Sequence, residues 1–149
     1  TDRGIDTAHG IQTFWRNLIG GFAAIRFHRP PSGLGLGALA QRHLRAARRV
    51  TQLFDFPRAL PDSDHLQLNE RKTNEAYHSC IPGEQHIIYY VDGGLVGLDL
   101  RQEPGQFQLL WIDIDGEREI DADFVNGGQW VTLAAPGSGS WVVIATAQD

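Results

Sequence analysis

Between Ala76 and Thr146 the chain carries seven short strand-like runs, most of them rich in branched aliphatic and aromatic residues, punctuated by glycine, proline and aspartate. No other feature restricts the fold as tightly. Runs of this length are too short for stable helices, and β-branched and aromatic side chains suit a pleated surface. The spacing predicts strands at Ala76–Ile81, His86–Val91, Leu95–Leu100, Phe107–Ile114, Glu119–Phe124, Gln129–Leu133 and Ser140–Thr146. Between the second and third lies Asp92-Gly93-Gly94. An Asp-Gly pair tolerates the positive φ of two-residue turns, so His86–Leu100 reads as a tight hairpin. The pattern as a whole predicts a mainly β fold, an antiparallel, jelly-roll-like β-sandwich over residues 61–149. Its core is expected to take Tyr89, Val91, Leu98, Leu109, Trp111, Trp130, Leu133, Trp141, Val143 and Ala145.

Residues 1–60 follow a different period. Ile11, Phe14, Trp15, Leu18 and Ile19 recur at the spacing of one helical face, predicting a helix over Gly10–Ile19 that Gly20-Gly21 ends. Phe22–His28 is a short apolar run stopped by Pro30-Pro31, as expected of a strand. Ala38–Phe54 places Leu39, Ala40, Leu44, Ala47, Val50, Leu53 and Phe54 on one side of a second helix. Arg42, Arg45, Arg48 and Arg49 fall mostly on the other. A helix–strand–helix piece cannot complete a sheet by itself, so either its strand joins the sheet of the second half or, the preferred reading, its neighbours lie upstream in a longer polypeptide.

Charge divides the chain in the same way. Residues 1–60 hold nine arginines and three aspartates, whereas residues 61–149 hold four cations and fifteen acids. The arginines are expected to be solvated or to pair with acids of a neighbouring domain. An acidic majority repels phosphate, which argues against nucleic acid as a partner. No run approaches the apolar length of a membrane span.

Chemistry-bearing patterns are sparse. His9, His28, His43, His65, His78 and His86 form no HxH or HExxH, and Cys80 stands alone, so no metal set and no cofactor is expected. The acids Asp113, Asp115, Glu117, Glu119, Asp121 and Asp123 lack the order of a calcium loop and read as a solvated strand–turn–strand rim. Gly33, Gly35 and Gly37 match neither dinucleotide nor P-loop spacing. If that loop follows a barrel strand, Arg26, His28 and Arg29 stand at the strand's C-terminal end, where a substrate would bind. Trp111, Trp130 and Trp141 suit a core, with a sugar-binding platform as the alternative.

The stretch FWRNLIGGFAAIRFHRP, followed by a loop and a long helix ending in LPD, resembles the last turn of the (β/α)8 barrel in glycoside hydrolases related to apiosidases. Phe14-Trp15, Leu18 and Gly20-Gly21 carry that resemblance. In that family the barrel continues into a β-sandwich named as a collagen-binding domain. Trp111-Ile112-Asp113 with Gly116, and Pro136 with Trp141-Val142, are similar to its signature. The resemblance implies that residues 1–60 end a barrel and that residues 61–149 form an accessory sandwich. It further implies a carboxylate pair acting on a glycosidic bond. Asp2, Asp6 and Asp55 are the only acids of residues 1–60 and none ends the candidate strand, so no catalytic residue is carried over. The chain therefore reads as the C-terminal portion of a glycoside-hydrolase-like protein. Its expected partner is an upstream barrel or a complementary chain. The alternative is a non-catalytic sandwich that binds a glycan or a protein.

Overall fold

The computed structural model describes residues 8–21, 37–62, 64–68, 71–72 and 75–149. Helix α1 spans Ala8–Ile19 and helix α2 spans Ala38–Leu53, followed by a 3-10 turn at Phe56–Arg58. The strands are β1 (Leu60–Pro61), β2 (Leu66–Leu68), β3 (Ala76–Ile81), β4 (Gln85–Tyr90), β5 (Leu95–Asp99), β6 (Gln106–Asp113), β7 (Arg118–Asn126), β8 (Trp130–Ala134) and β9 (Trp141–Ala147). They form two antiparallel sheets, ordered β1-β3-β4-β9-β6-β7 and β2-β5-β8. The two sheets make a sandwich preceded by two helices. The predicted strand Phe22–His28 lies outside the described residues.

The larger sheet is covered on both faces. Along β4, Ile87 and Tyr89 join a cluster with Ile11, Phe14, Trp15 and Ile19 of α1 and Ala40, Ala47 and Val50 of α2. Ile88 and Tyr90 point the other way, into a cluster with Val96, Leu98, Val131 and Leu133 of the smaller sheet. The central strand β9 divides likewise, with Val142 and Ile144 toward the helices and Trp141, Val143 and Ala145 inward. Burial on both faces is why the Ile-Ile-Tyr-Tyr run does not alternate with polar residues. Trp15 is wholly buried and stacks on Tyr89, ring centres 4.9 Å apart and planes 8° from parallel. Each large apolar side chain so buried contributes roughly 1.5–3 kcal/mol.

The turn at Asp92-Gly93-Gly94 corrects the hairpin reading. Strand β4 pairs with β3 and β9, whereas β5 pairs with β2 and β8. The segment is therefore an arch from one sheet to the other. Gly93 and Gly94 do adopt the expected positive φ, 48° and 90°. The turn's hydrogen bonds, however, go to the 136–140 loop: Gly93 N donates to Gly139 O at 2.8 Å, and Gly139 N donates to Asp92 Oδ1 at 2.8 Å. The chemistry that closes a hairpin here pins two loops together.

The core expectation holds for Tyr89, Leu98, Leu109, Trp111, Leu133, Trp141, Val143 and Ala145. Val91 is only half-buried, and Trp130 is 41% exposed. Strand β8 has one covered face, which Val131 and Leu133 fill, so alternation sends Trp130, Thr132 and Ala134 outward. Two arginines of α2 meet acids of their own chain. Arg45 binds Glu117 and Arg49 binds Glu119, both at the β6–β7 end.

Candidate functional site

One cluster of chemistry-bearing side chains is buried beside the β3–β4 turn. Ala76, Ile88 and Tyr90 lie on the inner face of the large sheet, so strand alternation puts His78, Cys80 and His86 there too. The register pairs Cys80 with His86 directly. His78, Cys80 and His86 are all buried, and their ligand atoms lie within 4.8 Å of one another.

Hydrogen bonds run through the cluster in one line. His78 Nδ1 lies 2.7 Å from the Asp62 carbonyl oxygen, His78 Nε2 lies 2.9 Å from His86 Nδ1, and His86 Nε2 lies 3.0 and 2.9 Å from the two Glu103 carboxylate oxygens. The two rings are 11° from coplanar with centres 5.2 Å apart, which is an edge-to-edge meeting of the facing nitrogens. Glu103 is itself fixed, accepting the Gly83 N–H at 2.6 Å. His65, on the edge of the cluster, holds the Asp62 carboxylate through Nδ1. Burial holds the His78 pKa down at about 4 and keeps His86 below its ordinary value against the upward pull of Glu103. It pushes the Cys80 thiol up to about 11. Two neutral imidazoles and a sulfur atom are donors that could hold a metal ion.

The sequence alone treats these histidines as scattered. The signal that could have joined them is His78-x-Cys80 on a strand, which shares a face, followed by a Pro82-Gly83 turn that brings His86 opposite Cys80. Arg26, His28 and Arg29, the expected substrate contacts, lie outside the described residues. Four acids of the series are engaged in local structure, and Asp121 and Asp123 are exposed on β7. Asp113 accepts from Gly116 N and Arg118 at 2.9 Å each, Asp115 accepts from Ser140 N at 3.0 Å, and Glu117 and Glu119 hold the arginines of α2. Asp113, Arg118 and the two arginine–glutamate pairs line a cleft of about 250 Å³ between α2 and the β6–β7 end. The three tryptophans do not assemble a platform, since Trp111 and Trp141 meet edge to face in the core, 6.3 Å apart. Trp130 stands alone outside, with the Arg101 guanidinium 5.3 Å from its ring centre.

Two antiparallel sheets with helices on one outer face define a β-sandwich, and solved structures share this fold. The chain is similar to a protein described as a glycoside hydrolase, with a TM-score of 0.57 and 14% identity, over 68% of this chain and 24% of that one. It is equally similar to a glycoside hydrolase family 5 protein from Bacteroides vulgatus ATCC 8482, with a TM-score of 0.57 and 14% identity, over 71% of this chain and 24% of that one. The chain thus spans about a quarter of the length of the structures it matches. No family model and no curated protein matches it. The likeness is to a glycoside-hydrolase-like fold and does not reach the finer resemblance to apiosidase relatives or to a collagen-binding domain. Among the described residues no helix is long and apolar enough to cross a membrane.

Proposed function

We propose that the chain is the C-terminal portion of a glycoside-hydrolase-like protein of the apiosidase-related kind, with its sandwich as an accessory unit supporting a barrel. The observation that carries this reading is the shared fold over 68% and 71% of the chain with about a quarter of two glycoside hydrolases. Residues 1–60 are then the last elements of the barrel, and α1 and α2 join barrel to sandwich. Their apolar faces already lie on the large sheet, which supplies the supporting contact. The two carboxylates of glycoside hydrolysis come from the upstream barrel or a complementary chain.

The test is direct. The intact mass of the native protein, compared with its reading frame, is expected to reveal additional upstream sequence. The isolated 149-residue chain is expected to show no hydrolysis of aryl glycosides or glucan oligosaccharides. Measurable turnover by this chain overturns the accessory reading.

A second reading rests on Trp130, whose exposed ring could stack on a sugar. Calorimetric titration with glucan oligosaccharides separates the two. Binding that Trp130→Ala removes favours a glycan-binding sandwich, and no binding leaves the supporting role.

A further inference from the structure

We propose that His78, Cys80 and His86 form a binding site for one divalent transition-metal ion of the zinc class, held at the β3–β4 end of the sandwich. Hydrogen counting carries the argument. A backbone carbonyl only accepts, so His78 Nδ1 carries the hydrogen of the 2.7 Å bond to Asp62 O. The Glu103 carboxylate also accepts, so His86 Nε2 carries the hydrogen of the bonds at 2.9 and 3.0 Å. A neutral imidazole has one N–H, and both are now used at the outer ends. His78 Nε2 and His86 Nδ1 therefore turn lone pairs toward each other across 2.9 Å. That arrangement is repulsive until a cation lies between them.

The cation is a proton or a metal ion. A proton gives either an imidazolium beside the Glu103 carboxylate or, passed along the line, a neutral chain in which the Glu103 carboxyl donates to His86 Nε2 and His86 Nδ1 donates to His78 Nε2. A metal ion uses both lone pairs at once and gains Cys80 Sγ, a third donor for which a shared proton has no use. The outer bonds are those that metal-bound histidines generally make, one to a backbone carbonyl and one to a carboxylate, fixing the tautomer of each ring. A divalent ion offsets the Cys80 thiolate and the Glu103 carboxylate, while the Asp62 carboxylate at the edge is held by His65.

Binding proceeds without redox change. The Cys80 S–H gives its proton to solvent as the metal–sulfur bond forms, and the two ring nitrogens donate their lone pairs. Metal–nitrogen bonds of about 2.0–2.1 Å at a tetrahedral angle hold the nitrogens about 3.3 Å apart, so the rings separate by roughly 0.4 Å. His65, with its ring centre 6.2 and 6.5 Å from those of His78 and His86, or water takes the fourth position. The ion would tie β3 and β4 to the segment entering β2 and to the turn after β5.

The test uses the purified chain, stripped with a chelator and titrated with cobalt(II) and then zinc(II). One equivalent of cobalt is expected to bind with a thiolate-to-cobalt charge-transfer band, zinc should displace it, and zinc should raise Tm. Cys80→Ala, with its fold checked by circular dichroism, should lose the charge-transfer band. Glu103→Gln keeps an acceptor for Gly83 N and should weaken zinc binding by about 10–100-fold. No saturable binding by the folded chain means that only a proton bridges the rings and overturns the proposal. Binding of unchanged strength in Cys80→Ala and Glu103→Gln places the ion elsewhere and overturns it equally.

Discussion

The indole N–H of Trp15 donates to Nδ1 of His43 across 2.8 Å, joining α1 to α2 inside the core. His43 is 1% exposed, and as the acceptor it must keep that nitrogen unprotonated. The bond makes the helical layer one packed unit on the large sheet, since Trp15 also stacks on Tyr89.

This relationship gives the fold a pH dependence of known sign. Burial lowers the His43 pKa to about 4 from 6.5, opposed by Asp115 and assisted by Arg42. The unfolded chain therefore takes up the proton first as pH falls. The contribution is full above pH 6.5, declines as pH is lowered, and levels off near pH 4 after a loss of about 3 kcal/mol. His43→Gln retains an acceptor for Trp15 without titrating. Urea unfolding across this range should show a shallower pH slope for His43→Gln than for the unaltered chain, and equal slopes would refute the assignment.

The arch between the sheets should be intolerant of a methyl group at Gly93. A Cβ there would stand 2.3 Å from the Gly137 carbonyl oxygen, at a φ of 48°. Neither backbone can yield cheaply. At Gly105, φ is 103° but nothing lies within 4 Å of the added atom. Gly105→Ala should therefore cost about 1–2 kcal/mol from conformation alone, and Gly93→Ala clearly more. Chemical denaturation of both variants checks the order.

The arginine–glutamate pairs between α2 and the β6–β7 end should matter little to stability. Arg49 and Glu119 side chains are 44% and 36% exposed, and Arg45 and Glu117 are 57% and 46% exposed. Solvent screens such pairs, so a double-mutant cycle on Arg49 and Glu119 should give a coupling close to the error of the measurement that shrinks with added salt. A large coupling that persists undiminished in high salt would show that the cleft is drier than its exposure implies.

Ser79 presents the opposite case. It is fully buried on β3, and among the described residues its hydroxyl has no hydrogen-bond partner. Removing an unsatisfied buried hydroxyl relieves its desolvation cost. Ser79→Ala should be neutral or stabilising by up to about 1 kcal/mol, measured as an unchanged or raised urea midpoint. A loss above that size would reveal a bond to the hydroxyl in solution.

The helices and most strand spans were readable locally, because each rests on a repeat of apolar residues within one segment. The predicted helix Ala38–Phe54 is α2 at Ala38–Leu53, and Phe107–Ile114 is β6 at Gln106–Asp113. Strands β1 and β2 were not readable, being two and three residues long and held only by their neighbours. The candidate metal ligands were hidden because two come from one strand and the third from the next. Neither spacing nor composition encodes the register that sets Cys80 opposite His86.

The sequence by itself determined where the chain is helical, where it is extended, and which turns need glycine, since these depend on sterics and on side chains a few residues apart. Only the tertiary structure decided which sheet each strand joins. Asp92-Gly93-Gly94 serves an arch as readily as a hairpin, because both need the same positive φ. Packing chose between them. Strand β4 is buried on both faces between β3 and β9 in the larger sheet, while β5 lies between β2 and β8 in the smaller. The same choice turned Trp130 outward on β8, brought the arginines of α2 to the acids of the β6–β7 end, and enclosed His78, Cys80 and His86 between the layers.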